Sequence, residues 1–188
     1  MKYPVEEVTL PRDLKGIENG KLPDRLLVKI APGGVMHHLA AKAWTAMRAA
    51  AKADGVVLGH VGAYRPLAEQ ISLFEKRYSD KPTGRDITRK WKGKTYYLKP
   101  GVAPAGTPGT SNHGWGLAID AAVIVGGNTL SITSNPDGKG GWASGLDWLL
   151  KNAATYGFSW EIKEGAQAEA WHIRYHAGDT LPDAVKGA

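Results

Sequence analysis

The chain contains no cysteine among its 188 residues. Disulfide bonds and thiolate metal sites are therefore excluded, and any bound metal must be held by His, Asp or Glu side chains. Because a protein without cysteine tolerates a reducing or an oxidising compartment, this absence leaves the redox environment open.

Long apolar runs are also missing. No stretch approaches the roughly 18 apolar residues of a membrane-spanning helix, and residues 1–7 lack the apolar segment of a signal peptide. We therefore expect no membrane partner, and either a protein that is made in the cytoplasm without an export signal or one whose export signal has been removed. The length and the hydrophobic fraction of 43% suit a single soluble domain with a substantial core, which we expect to be a monomer.

The formal net charge is +6, which favours solubility and attraction to a polyanion such as nucleic acid or an acidic cell wall. One basic cluster has aromatic residues within it, a mixture that binds single-stranded nucleic acid in some proteins and sugars or acidic glycopeptides in others. No nucleic-acid-binding motif accompanies it, so we expect no nucleic-acid partner. The cluster comprises Arg85, Arg89, Lys90, Lys92, Lys94 and Lys99 with Trp91, Tyr96 and Tyr97.

A short stretch from Ser111 to Asp120 reads Ser-Asn-His-Gly-Trp-Gly-Leu-Ala-Ile-Asp. Its His113 and Asp120 are both zinc-type ligands and lie seven positions apart. On one regular strand, an odd spacing would place them on opposite faces. Two glycines between them allow the backbone to turn. We therefore predict His113 at the end of a loop and Asp120 inside a buried strand, residues 117–125.

The third ligand of a tetrahedral site, which also needs an open position for water, is predicted near the other end of the chain. The segment Glu169-Ala170-Trp171-His172 offers His172 as this ligand and Glu169 as the base beside the water. His176 would share a strand face with His172. It is a competing ligand or a hydrogen-bond donor to one, and we rank it below His113 and His172.

The two motifs together, Ser-x-His-x-x-Gly-x-Ala-x-Asp and Glu-x-x-His, resemble a group of zinc peptidases. The group includes lysostaphin-type enzymes, D-Ala-D-Ala metallopeptidases and the hedgehog signalling domain. Within it, the chain most resembles VanY-like D-alanyl-D-alanine carboxypeptidases and L-alanyl-D-glutamate endopeptidases, including phage endolysins. The resemblance covers roughly residues 35 to 176. The matching positions are Ser111, His113, Gly116, Ala118, Asp120, Glu169 and His172.

This resemblance implies an α+β fold of the hedgehog and DD-peptidase type, with a small antiparallel-rich sheet flanked by helices and zinc on one sheet face. It implies a Zn²⁺ ion held by His113, Asp120 and His172, with Glu169 as the proton acceptor. Arg65 follows a predicted strand at the point where the group has an arginine that faces the active site. It would supply positive charge to a substrate carboxylate or to the developing oxyanion. The candidate substrate-binding residues are Ser111, Trp115 and Trp171.

The implied reaction is amide hydrolysis in the stem peptides of peptidoglycan, and two cuts stay open. We favour L-Ala-D-Glu endopeptidase activity in a phage endolysin that acts on the wall after its release. The alternative is D-Ala-D-Ala carboxypeptidase activity, which removes a terminal D-alanine. A hypothesis of another class is a non-catalytic wall-binding zinc module, against which the intact Glu169 argues.

The rest of the chain is read from periodicity and turn residues. Residues 1–34 are expected to wrap a single domain that spans residues 1–188. Residues 79–110 form a long connection, predicted to be a wall of the substrate groove. The predicted helices span 35–53, 67–78 and 141–156. The predicted strands span 26–30, 56–61, 117–125, 129–133, 158–160 and 170–175, with a hairpin of 87–91 and 95–98 and a turn at 135–138.

Two adjacent histidines, His37 and His38, fall inside the first predicted helix. Neighbours on a helix point about 100° apart, so the two side chains would not easily bind one ion. We interpret them as histidines at the surface or the rim of the domain.

Overall fold

A computed structural model describes residues 1–133, 142–165 and 167–187. The chain combines helices with short strands that pair antiparallel, which confirms the predicted α+β class. The helices in the described part are α1 His38–Ala53, α2 Leu67–Arg77, α3 Trp142–Asn152 and α4 Asp183–Lys186. The strands are β1 Leu27–Lys29, β2 Val35–His37, β3 Leu58–Gly62, β4 Tyr78–Ser79, β5 Thr88–Trp91, β6 Lys94–Leu98, β7 Ala118–Val125, β8 Asn128–Ser131, β9 Phe158–Trp160 and β10 His172–Tyr175.

The main sheet is built around β7. Its strand order is β3–β7–β10–β9, with β8 paired to the far half of β7, and every pairing is antiparallel. Side chains of β7 alternate between the two faces of the sheet. Ile119, Ala121 and Val123 enter the main hydrophobic core, whereas Asp120 lies on the opposite face. The same alternation on β10 sends Ile173 into the core and leaves His172 beside Asp120.

Helix α1 covers the core face because its small and large apolar residues recur at helical spacing. The buried residues of α1 include Ala40, Ala43, Trp44, Met47 and Ala51. The N-terminal segment lies along the same core. Tyr3 stacks on Trp160 of β9 with ring centroids 5.4 Å apart, and Leu14, Leu22 and Leu26 are buried.

A second, three-stranded sheet stands apart from the main one, with the order β4–β6–β5. It packs on α2 through a small core of Phe74, Tyr78 and Leu98. Its β5–β6 hairpin turns at Lys92 and Gly93, both at positive φ. The predicted hairpin is therefore confirmed, and the connection 79–110 contains regular structure.

The first helix begins later than predicted. Val35–His37 is strand β2, which pairs with β1, and α1 starts at His38. The backbone N–H of His37 donates to the carbonyl oxygen of Gly116, 3.0 Å away. Helical periodicity carries no information about these distant partners. The prediction from periodicity therefore began the helix three residues too early.

Most other boundaries shift by at most two residues, as hydrogen bonding at element ends commonly allows, and the end of the last long helix shifts by four. Tyr78 leaves α2 because it pairs with Leu98, and β10 begins at His172 rather than at residue 170. The last long helix ends at Asn152 and continues as a 3-10 turn, Ala153–Tyr156. The predicted turn at 135–138 lies outside the described residues.

Among the described residues, no helix is both long enough and apolar enough to cross a bilayer.

Helix α3 packs so closely on β7 at Gly145 that a methyl group there would overlap Cγ1 of Val123. We expect Gly145→Ala to lower the free energy of unfolding by about 1–3 kcal/mol through overpacking. Alanine would by itself favour the helix by about 1 kcal/mol. Asp147→Ala, at an exposed position of the same helix, is the matched control. Chemical denaturation of the two variants checks this, and equal or higher stability of Gly145→Ala would contradict the close packing.

Candidate metal centre

Three side chains from two sequence motifs converge on one face of the main sheet. Nε2 of His113 lies 3.2 Å from Oδ1 of Asp120, and Nδ1 of His172 lies 3.1 Å from the same oxygen. The ligand atoms of all three residues lie within 4.8 Å of one another. His113 and His172 are buried, and Asp120 is largely so.

His113 reaches this position because the chain turns sharply before β7. Residues Asn112–Trp115 form one 3-10 turn, which the Ser111 hydroxyl caps by accepting from the backbone N–H of His113. Gly116 closes the turn with φ +65°, and a Cβ there would lie 2.7 Å from the backbone nitrogen of His37. Glycine is therefore required twice at this position, by its backbone conformation and by the close approach of β2.

Strand register places the other two ligands side by side. His172 of β10 is the direct cross-strand partner of Asp120 on β7. On the other edge of β7, a bulge in β3 sets Gly62 opposite Asp120, where a Cβ would lie 2.6 Å from the carboxylate oxygen Oδ2. The absence of a side chain at Gly62 thus leaves the space that the Asp120 carboxylate occupies.

The hydrogen bonds behind the histidines decide which ring nitrogens face the cluster. Nδ1 of His113 lies 2.7 Å from the carbonyl oxygen of Ala63, which can only accept, so Nδ1 carries the proton and Nε2 presents a lone pair to Asp120. Nε2 of His172 lies 3.4 Å from Oε2 of Glu161, which likewise assigns a proton to that nitrogen. If His172 is neutral, the lone pairs of His113 Nε2 and His172 Nδ1 both face the Asp120 carboxylate. This arrangement is repulsive unless a proton or a metal ion lies between these atoms.

In the absence of metal, that role falls to a proton on His172. Burial lowers its pKa, but the hydrogen bond to Asp120 and the contact with Glu161 outweigh burial and raise the pKa of His172 to about 9. Burial also raises the pKa of Asp120, yet the close contacts with the imidazoles of His113 and His172 outweigh burial and hold this pKa well below its ordinary value. The Asp120 carboxylate is therefore ionised at neutral pH, and its negative charge attracts a cation.

These residues fit a divalent metal of the zinc type. Two imidazoles and one carboxylate are a typical catalytic set of three protein ligands, which leaves a fourth position for water or substrate. Ligand atoms of a tetrahedral zinc ion are about 3.3 Å apart, given metal–ligand bonds of about 2.0–2.1 Å. The separations of 3.2 and 3.1 Å at Asp120 are close to this spacing.

A cavity of about 330 Å³ opens directly on the cluster. Its walls come from α2, the loop after β6, the turn before β7 and the segment before β10. The lining residues besides the three cluster residues include Arg65, Leu73, Arg77, Ala103, Pro104, Ala105, Gly106, Thr110, Ser111, Asn112, Glu161, Glu169 and Trp171. Residues of the connection 79–110 thus form one wall of this cavity.

Glu169 lies at the cavity rim, one tight turn before His172. The backbone N–H of His172 donates to the carbonyl oxygen of Glu169 at 3.1 Å, and Nε1 of Trp160 anchors the turn through the carbonyl oxygen of Ala170. Burial raises the pKa of Glu169, and the carboxylates of Asp120 and Glu161 act in the same direction, against His172 and His113. A carboxylate with a raised pKa is better suited to accept and return a proton near neutral pH.

Arg65 also reaches the cluster from the end of β3. Its Nη2 lies 4.0 Å from Oδ2 of Asp120, and its backbone N–H donates to the carbonyl oxygen of His113 at 3.0 Å. The guanidinium is therefore held beside the candidate metal position, and it lines the cavity.

The three candidate substrate-binding residues separate in the structure. Ser111 and Trp171 line the cavity. Trp115 does not line it and packs against the main core instead. The 3-10 turn explains the difference, because it directs His113 to the cluster and carries Trp115 past it.

Glu161 is a site residue that sequence reasoning missed. It lies one residue after β9, whose Trp160 pairs with Ile173 next to His172. Its Oε2 contacts Nε2 of His172 at 3.4 Å and Nδ2 of Asn112 at 3.4 Å. The contact with His172 holds the pKa of Glu161 below its ordinary value. The sequence offered one sign of this role, an acidic residue directly after a predicted strand. That sign is useful only when the strand is known to pair with β10.

The interpretation of His37 and His38 as surface or rim histidines is wrong for His37, which is fully buried at the end of β2. Nε2 of His37 lies 2.9 Å from Oδ1 of Asp13, and Nε2 of His38 lies 2.7 Å from Oδ2. Each carboxylate oxygen can accept one N–H, so hydrogen bonds account for this group. A metal on Nε2 of His37 would instead require a proton on its Nδ1, a buried atom that has no partner.

His176, the competing ligand in the sequence analysis, is not part of the cluster. It follows the end of β10, and its backbone N–H donates to the carbonyl oxygen of Gly157 at 2.9 Å. Its Nε2 is buried without a hydrogen-bond partner in the described structure.

Residues 34–178 match the model of the VanY family, described as D-alanyl-D-alanine carboxypeptidase. The chain is 31% identical over 144 residues to YodJ of Bacillus subtilis (strain 168), which carries the name of a carboxypeptidase. This match covers 72% of the chain and 44% of YodJ, so the chain spans less than half the length of this relative.

Two solved structures share the fold. The LD-carboxypeptidase LdcB superposes with a TM-score of 0.59 at 23% identity, covering 89% of this chain and 74% of LdcB. A mutant of the D,D-pentapeptidase VanY from the VanB-type resistance cassette, in complex with Zn(II), superposes with a TM-score of 0.54 at 20% identity. That match covers 88% of this chain and 86% of the other.

Binding of Zn²⁺ must displace the proton from His172, because ligands bind metals in their deprotonated form. With a pKa of about 9, His172 is protonated at pH 7. We therefore expect uptake of one Zn²⁺ at pH 7 to release about one proton from this residue. Calorimetric titrations in buffers of different ionisation enthalpy measure the release.

The matched control is His38→Gln in the second histidine pair, which should leave the metal stoichiometry and the proton release unchanged. Metal uptake by wild type without proton release would contradict the protonated state of His172.

The contact between Glu161 and His172 can be tested without metal. Glu161→Gln removes a negative charge that favours the imidazolium form, so we expect the pKa of His172 in the metal-free protein to fall below about 9. An NMR titration of the imidazole resonances measures it. Glu164→Gln, in the same exposed loop, should leave this pKa in place. Equal values in both variants would show that Glu161 does not act on His172.

Proposed function

We propose that this chain, which belongs to the VanY family of D-alanyl-D-alanine carboxypeptidases, is a zinc-dependent peptidase that hydrolyses an amide bond in peptidoglycan stem peptides. The observation that carries this proposal is the set of His113, Asp120 and His172 in the wall of a cavity that Glu169 and Arg65 also line. Three ligands, a rim carboxylate and a cation are the groups that metal-assisted amide hydrolysis requires.

Zinc at this cluster would supply Lewis acidity, which polarises the scissile carbonyl group and acidifies a water molecule. The protein residues supply proton transfer and orientation. Glu169 accepts a proton from the attacking water as the C–O bond forms. It then returns the proton to the leaving nitrogen as the C–N bond breaks.

Arg65 supplies positive charge where the carbonyl oxygen gains negative charge. Glu161 and the Ala63 carbonyl act from behind the ligands. They hold the protons on the outer nitrogens of His172 and His113, so that the inner nitrogens face the metal position.

For the bond, we propose removal of a C-terminal residue. Membership of a carboxypeptidase family and the 31% identity to YodJ support this choice. The cavity supports it as well, since Arg65 and Arg77 both line it and guanidinium groups bind a free carboxylate strongly.

A second candidate is L-Ala-D-Glu endopeptidase activity of the endolysin type, in a protein made in a host cytoplasm that acts on the wall after release. The observation that favours it is the positive charge of the β5–β6 hairpin near the cavity. An enzyme that works on the intact polymer gains from attraction to it.

Digestion of purified peptidoglycan, followed by mass spectrometry of the soluble products, distinguishes the two cuts. We expect free D-alanine and stem peptides shortened by one terminal residue. Fragments that begin with D-glutamate, without free alanine, would contradict the carboxypeptidase assignment and support the endopeptidase.

The role of Glu169 gives a second test. We expect Glu169→Gln to lower kcat by about 10²–10⁴-fold, the usual contribution of a general base, while the zinc stoichiometry stays at one. Rates on a soluble stem peptide and metal analysis of the same samples measure both quantities.

Glu164→Gln is the matched control, because it removes a carboxylate from the same segment outside the cavity lining. It should keep the wild-type rate. If wild type binds zinc and peptidoglycan but cleaves no peptide, the chain is a wall-binding module and the peptidase proposal fails.

A further inference from the structure

The positive charge of the chain is concentrated in one segment. Residues 76–99 contain two carboxylates, Asp80 and Asp86, and nine cationic residues, which gives this segment a net charge of +7. The whole chain has a net charge of +6, so the remainder is close to neutral. The cationic residues are Lys76, Arg77, Lys81, Arg85, Arg89, Lys90, Lys92, Lys94 and Lys99.

These cations lack carboxylate partners in the part of the chain that the structure describes. The ion pairs found there involve other cations, such as Arg12 with Asp179 and Lys186 with Asp183. Arg77 and Arg85 donate to backbone carbonyl oxygens, which are neutral. Because like charges at close range repel, this concentration lowers the stability of the segment unless an external anion compensates it.

Three of these charges lie at the tip of the β5–β6 hairpin. Lys90, Lys92 and Lys94 are all exposed around the turn. The hairpin is well anchored, since Trp91 and Tyr96 pack on Phe74 of α2 with ring centroids 5.3 and 5.2 Å away. The charges are therefore presented on a supported sheet.

The same packing argues against single-stranded nucleic acid as the partner. Binding of that type stacks bases on exposed aromatic rings. Trp91 and Tyr96 are occupied by Phe74, and Nζ of Lys92 lies 4.5 Å from the centre of the Trp91 ring. Tyr97, which is half-buried, is not part of this small core. The hairpin thus offers many charges but no row of stacking rings, which suits a flexible polymer of phosphodiester groups.

The position of this surface relates it to the cavity. Helix α2 carries Phe74, which supports the hairpin, and Arg77, which lines the cavity. The loop that follows β6 supplies the cavity wall at Ala103–Gly106. A polymer on the hairpin would therefore lie close to a substrate in the cavity.

We propose that the β5–β6 hairpin is a docking surface for a phosphodiester-bearing anionic polymer attached to the peptidoglycan. This inference rests on the proposed function for the identity of the polymer, since a wall substrate brings its attached polyanion with it. Docking raises the local concentration of stem peptides at the cavity and takes no part in the cleavage itself.

The test compares two triple variants of equal charge change. Lys90, Lys92 and Lys94→Glu alters the hairpin, and Lys29, Lys42 and Lys52→Glu alters exposed positions on β1 and α1. Co-sedimentation with purified cell walls measures binding at several salt concentrations. We expect the hairpin variant to bind at least about tenfold more weakly, with a shallower salt dependence than wild type. The control variant should stay close to wild type.

Two further measurements identify the polymer and separate docking from catalysis. Walls stripped of their phosphodiester polymer by hydrofluoric acid should bind wild type as weakly as intact walls bind the hairpin variant. Both variants should cleave a soluble stem peptide at the wild-type rate, which also shows that they are folded.

Equal wall binding by the two triple variants, or undiminished binding to stripped walls, would overturn the docking proposal. Tighter binding of wild type to duplex DNA than to intact walls at the same salt would overturn it in favour of a nucleic-acid partner. If no form cleaves the peptide while the hairpin variant alone loses wall binding, the peptidase proposal fails and the docking surface stands.

Discussion

The antiparallel register between β7 and β10 is the constraint on which the candidate site depends. It sets Asp120 directly beside His172, although 51 residues separate them along the chain. A slip of one residue would turn one of these side chains into the hydrophobic core. The register is held because Ile119 and Ile173 must enter that core while their neighbours must not. Core packing on one face of the sheet thus determines ligand geometry on the other.

The Asp120 carboxylate then imposes an electrostatic requirement. A largely buried anion needs compensation, and protonated His172 with Arg65 supplies it in the metal-free protein. The protein can meet this requirement with a proton on His172 or with a metal ion, and the two compete for the same nitrogen. The pair of His37 and His38 around Asp13 has a similar composition but a different solution. There each nitrogen donates to its own oxygen, and no lone pairs are forced together.

The candidate metal site and the net positive charge lie in different parts of the molecule. The main sheet and the turns that lead into it carry the metal ligands and the proton acceptor, whereas residues 76–99, which contain the second sheet, carry nearly all of the net positive charge. Helix α2 joins the two, since Phe74 supports the hairpin and Arg77 reaches the cavity. The hairpin has its own small core, so its surface charge can change without disturbing the ligand register.

Much of the candidate site and of the secondary structure could be predicted from the sequence, because both depend on the spacing of nearby residues. The two motifs predicted His113, Asp120, His172 and Glu169, and the structure brings these residues together. Periodicity predicted the three longer helices and most strands to within four residues, and it missed the short elements β2, β4 and α4. Only the tertiary structure decided which distant groups meet. Glu161 reaches His172 through the pairing of β9 with β10, and His37 is buried because β2 pairs with β1. Trp115 packs against the main core, because the 3-10 turn that directs His113 to the cluster directs Trp115 elsewhere. Local sequence fixes the order and spacing of side chains, whereas contacts between distant segments depend on strand order and register, which are set by packing over the whole core.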